Sequence, residues 1–106
     1  MTKFILSGAF MLIALSGASF GHAHTPLCVC MDNGDGTILC EGGFSDGSSA
    51  AGVSMEVRND KGKTLIKGKM DRLSTFEFKS PSGTFTVIFD AGPGHLVEIP
   101  SRTITD

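Results

Sequence analysis

Phe85-Thr86-Val87-Ile88-Phe89-Asp90 is the stretch on which the fold turns. Under the two-residue period of an extended strand, Phe85, Val87 and Phe89 share one face, and three large apolar side chains in a row must be buried against a second layer. Ser80-Pro81-Ser82-Gly83 precedes the stretch and Asp90-Ala91-Gly92-Pro93-Gly94-His95 follows it. Both flanks are rich in residues that pre-set or tolerate turn geometry.

The same grammar extends in both directions. Upstream, Thr75-Phe76-Glu77-Phe78-Lys79 puts two phenylalanines on one face, and Val53, Met55 and Val57 alternate with Ser54, Glu56 and Arg58. Thr64 to Met70 reads as a strand in which Leu65 and Ile66 point opposite ways, and Asn59-Asp60-Lys61-Gly62 turns the chain before it. Leu27 to Met31 and Thr37 to Phe44 form a hairpin around Asp32-Asn33-Gly34-Asp35-Gly36, a run suited to positive φ. Ser45 to Gly52 is small and polar and reads as a surface loop, and a last strand runs from Leu96 to about Ile104, with Pro100 marking an edge or a bend. Seven short strands at this spacing predict an all-β fold, a small Greek-key sandwich rather than a closed barrel.

The N-terminus carries a different signal. Met1-Thr2-Lys3 is followed by an uncharged run from Phe4 to Gly21 and then by His22-Ala23-His24, the layout of a secretory signal peptide. Gly21-x-Ala23 suits cleavage after Ala23, which gives a signal segment 1–23 and a sandwich domain 24–106 with His24 as the new N-terminus. Cleavage after Ala18 instead leaves His22 and His24 in a short arm. The competing reading is a membrane anchor, but Gly8, Ser16, Gly17 and Ser19 dilute the run. The mature chain is therefore expected in the periplasm or secreted, with no stable membrane span.

Composition narrows the function classes. The formal charge of the whole chain is −2, and loss of Lys3 with the leader makes it more negative. No basic run occurs, so nucleic acid is excluded as an expected partner. Tyrosine and tryptophan are absent, so phenylalanine must supply the aromatic core. No serine–histidine–acid set, phosphate-binding loop or carboxylate pair stands out, and the chain is expected not to be an enzyme.

Five segments, in order, resemble one known group: Gly43-Phe44-Ser45-Asp46-Gly47-Ser48, Gly52-Val53-x-Met55-x-Val57, Asp60-x-Gly62-Lys63-x-Leu65-x-x-Gly68, Phe76-x-Phe78, and Phe85-Thr86-Val87-x-x-Asp90-Ala91-Gly92-Pro93-Gly94-His95. Their arrangement is similar to that of carboxypeptidase-regulatory-like, transthyretin-like modules. More narrowly, it resembles the extracytoplasmic domain of accessory proteins of nickel and cobalt uptake systems. That family has a glycine just before its Phe-x-Phe strand, where this chain has Asp71-Arg72-Leu73-Ser74-Thr75. The resemblance implies a β-sandwich that binds or presents a divalent transition metal or docks on a membrane transport component. The alternative is a structural or protein-interaction module of the cell envelope that holds no metal.

Three sets of residues are candidates for chemistry. His24 as an N-terminus offers an amine and an imidazole, a chelating pair suited to Ni(II), Co(II) or Cu(II), with His95 a further imidazole and Asp90 an oxygen ligand or orienter. Cys28, Cys30 and Cys40 lie on the arms of the first hairpin. A Gly34-Asp35-Gly36 loop places Cys30 across from Cys40, whereas an Asn33-Gly34-Asp35 loop places Cys28 there. One disulfide with one remaining thiol suits an exported domain, while three thiolates with Met31 would make a soft site for Cu(I) or Zn, and thiol redox work at the hairpin is a further reading. Asp32, Asn33, Asp35 and Asp46 fall short of an EF-hand pattern and read as turn formers.

Overall fold

The computed structural model describes residues 24–106; the expected leader 1–23, with His22, lies outside the described residues. Seven strands follow one another: β1 (Pro26–Asp32), β2 (Thr37–Phe44), β3 (Ser54–Asn59), β4 (Thr64–Lys69), β5 (Thr75–Lys79), β6 (Phe85–Asp90) and β7 (Leu96–Pro100). They form two antiparallel sheets of order β1-β2-β5 and β4-β3-β6-β7. β5 returns beside β2 and β6 beside β3, the crossing that defines a Greek key. The chain is an all-β sandwich, as the strand pattern predicts.

Alternation decides the core. Phe85, Val87 and Phe89 of β6 face inward with Met55 and Val57 of β3, and from the opposite sheet Ile38, Cys40 and Phe78 meet them. Phe89 sits at the centre, fully buried, with the ring of Phe44 6.0 Å away. Gly42 of β2 makes this contact possible: a Cβ there would lie 2.6 Å from Phe89 Cε2, so any larger residue forces the sheets apart.

Two expectations need correction. The last strand stops at Pro100 rather than near Ile104, and Ser101–Thr103 forms a 3-10 turn closed by Ile104 N–H donating to the Ser101 carbonyl. Proline supplies no ladder donor, so the strand cannot continue through it. The segment 45–52 is not wholly at the surface: Ala50 is fully buried and belongs to the core. Its amide donates to Ser74 Oγ at 2.9 Å, which satisfies the buried N–H.

Ser74 takes a positive φ of 61°, a conformation ordinarily left to glycine. Ser74 is held there by its bond from Ala50 and a 3.1 Å contact with Ser49 Oγ, while Asp71 accepts from the amides of Leu73 and Thr75. A hydroxyl that bridges two loops thus offsets a backbone cost of about 1–3 kcal/mol.

The topology sorts the connections into two ends. The beginning of β1, loop 45–53, turn 70–74 and loop 91–95 lie at one end. The hairpin turns 33–36, 60–63 and 80–84 and the C-terminal segment lie at the other, tied by Ser80 N–H to Gly36 O and Asp32 N–H to Thr105 O. Among the described residues no helix is long and apolar enough to cross a membrane.

Candidate functional site: the open edge of strand β1

The first hairpin takes the Gly34-Asp35-Gly36 loop, and Cys30 pairs with Cys40 at a Cα separation of 4.0 Å in a disulfide. The soft metal site is thereby excluded in this state, because two of its thiolates are bonded to each other and Met31 lies on the opposite, exposed face. Cys28 remains a free thiol on the inner face, and burial pushes its pKa up to about 11. Holding its proton at neutral pH, it is a poor nucleophile toward the neighbouring disulfide. A disulfide fits an oxidising compartment.

The histidine and aspartate candidates are placed separately. His24 Nδ1 lies 2.7 Å from Asp46 Oδ2, with its ring edge-on to Phe44. The hydroxyl and amide of Ser48 donate to Asp46, and these bonds, with a smaller contribution from the His24 charge, hold its carboxyl below the usual range. His95 Nδ1 donates to the Pro93 carbonyl at 3.0 Å, and Asp90 accepts from the Gly92 amide at 2.9 Å, so both close the 91–95 loop. Among the described residues no group of three or more His, Cys, Asp or Glu side chains is gathered to hold a metal ion. Asp32 and Asp35 also serve turns, accepting from the amides of Gly34 and Thr37.

A feature that sequence reasoning passed over lies on β1 itself. With Cys28 and Cys30 turned inward, Leu27, Val29 and Met31 point outward, 50%, 60% and 41% exposed. They form one unbroken apolar row on an edge strand, extended by Leu39 directly across from Met31. Other exposed leucines, such as Leu65, Leu73 and Leu96, stand on different elements and are ordinary surface residues.

The other three edges carry protection. β4 presents Lys67 and Lys69, β5 presents Glu77 and Lys79 and runs into Pro81, and β7 presents Glu98 and ends at Pro100. Charges and prolines at such places block pairing with another chain. β1 has no charge between Pro26 and Asp32. Its hydrogen-bond parity is set by Ser45 N–H donating to Thr25 O and Asn33 N–H to Thr37 O: odd residues bond to β2, and even residues face outward. Thr105 O occupies the amide of Asp32 and Pro26 has no N–H, which leaves the N–H and C=O groups of Cys28 and Cys30 on the free edge.

Beside this row the surface is hollowed. Gly43 adds no side chain next to Leu27, and Ser48, Ser49 and Ser74 wall the far side, giving an open groove of about 410 Å³ with Glu41 at its margin. The arrangement can take an extended chain along β1 and one side chain over it. Compared with protein-family models, curated proteins and solved structures, the chain matches none of them.

Proposed function

We propose that this protein is an exported, non-enzymatic interaction module of the cell envelope that receives an extended segment of another envelope protein along β1. The observation that carries this reading is the contrast among edges: three present charged side chains, while β1 is uncharged and apolar from Pro26 up to Asp32, the one residue whose outward amide Thr105 takes. Added strands gain affinity from main-chain hydrogen bonds and specificity from side-chain pockets, and β1 supplies both. The leader-like segment 1–23 and the Cys30–Cys40 disulfide support a periplasmic or secreted setting. The resemblance described above makes a membrane component of a metal-uptake system the partner to examine first.

A photoreactive residue in place of Val29, in cells that produce the protein, is expected to give a discrete crosslinked species that disappears when Met31→Lys is added. The same group at Leu65 is expected to give none. Equal crosslinking from both positions, or none from Val29, would remove the reading.

One observation favours a second reading, the presentation of nickel, cobalt or copper. His24 and Asp46 already supply an imidazole and a carboxylate 2.7 Å apart, and an amine on His24, if processing ends there, adds a third donor of a type that Ni(II) and Cu(II) accept. The described residues alone do not complete such a site. Titration with Ni(II), Co(II) and Cu(II) of protein beginning at His24 should show binding weakened by Asp46→Asn and lost when one residue precedes His24. No affinity tighter than about micromolar, roughly −8 kcal/mol, would discard it.

A further inference from the structure

We infer that the segment received by β1 carries a lysine or arginine directly opposite Val29, flanked two residues to either side by apolar side chains. This rests on the reading of β1 as a docking edge and names the chemistry of its occupant. Glu41 stands beside Val29 in the register of β1 and β2, and Glu77 stands beside Leu39 on the same outer face. Other acids nearby are engaged: Glu77 accepts from Asn33 at 3.1 Å, and Asp46 is paired with His24. The Glu41 carboxylate has no hydrogen-bond or ion-pair partner among the described residues.

Geometry fixes where its partner belongs. A strand added to β1 places the residue opposite Val29 two strand spacings from Glu41, about 10 Å between Cα atoms. An extended lysine or arginine spans that gap together with the glutamate side chain, its methylenes lying over Val29 and its charge reaching the groove floored by Gly43. Neighbours two residues away on the same face meet Leu27 and Met31, so apolar side chains suit them. An acidic residue at the centre would face Glu41 across an apolar surface and be repelled.

The test uses the purified domain and two capped peptides of alternating threonine and valine, one with lysine and one with glutamate at the central position. Binding is followed by NMR at the amides of Cys28 and Cys30. The lysine peptide is expected to slow exchange of both amides and to bind about tenfold more tightly than the glutamate peptide, as a charge-assisted contact at a partly dry surface provides. Glu41→Gln should erase that preference, and added salt should shrink it. Binding at β1 without a charge preference, or with one that survives Glu41→Gln, overturns the occupant and leaves the docking edge standing. If neither peptide reaches Cys28 and Cys30 at millimolar concentration, the docking edge fails with it. Concentration-dependent protection of the same amides without peptide would assign the edge to a second copy and overturn the inference.

Discussion

Phe89→Ala is expected to lower the unfolding free energy by about 3–5 kcal/mol, the range for truncating a buried phenylalanine that leaves a cavity. Phe89 is 0% exposed, lies on a strand paired on both sides, and touches Phe44 across the interface between sheets. The backbone at Gly42 is packed against its ring, and collapse around the void is restricted because both sheets are held by their ladders. A domain of this size has roughly 5–10 kcal/mol in hand, so the variant should lose about a third of it or more. Urea denaturation followed by circular dichroism measures the change. Val29→Ala, on the outer face of β1, should by contrast stay within about 0.5 kcal/mol. A loss under about 1 kcal/mol for Phe89→Ala would mean that β6 is not the centre of the core.

Removing the Cys30–Cys40 disulfide by the double change to serine is expected to cost about 2.5 kcal/mol, from the loop entropy of a cross-link ten residues apart. Cys40 is 0% exposed, so a hydroxyl placed there adds a desolvation cost of about 1–3 kcal/mol unless it finds a partner. The double change is the cleaner variant, because Cys30→Ser alone would free Cys40 to face Cys28 as an alternative partner on the same sheet face. Mass analysis with alkylation should find one modifiable thiol before reduction of the unfolded wild-type chain and three afterwards. Three labelled thiols before reduction would refute the pairing.

The fold was legible where one face of a strand is apolar and the other polar. Phe85, Val87 and Phe89, Met55 and Val57, and Phe76 with Phe78 announce their sheet faces directly, and the glycine-rich turns separate them. β1 was not legible in the same way, because Leu27, Val29 and Met31 alternate with two cysteines that are themselves often buried. A strand apolar on both faces reads as central. Its place at the edge follows from β5, and not a strand beyond β1, closing the first sheet.

Loop chemistry was harder still. Asp90 and His95 suggest metal ligands by their residue types, yet Asp90 Oδ1 and His95 Nδ1 go to the loop's own amide and carbonyl groups. Asp46, unremarkable as part of a Ser-Asp-Gly turn, became the partner of His24 because Thr25 and Ser45 clamp the start of β1 to the end of β2. Such pairings depend on register and cannot be read from spacing. Likewise Ser74 shows no local sign of a positive φ; Ala50 and Ser49, distant in sequence, hold it there.

The account depends most on β1 being open in the isolated protein. Amide hydrogen exchange of the free domain, resolved residue by residue, tests this directly. Alternation is expected: Val29 and Met31, bonded to β2, exchange slowly, while Cys28 and Cys30, whose N–H groups face the free edge, exchange at least about a hundredfold faster, as amides outside the ladder do. Uniform protection from Leu27 to Met31 in dilute solution would show that the edge is already covered and would contradict the assignment of β1 as the docking site.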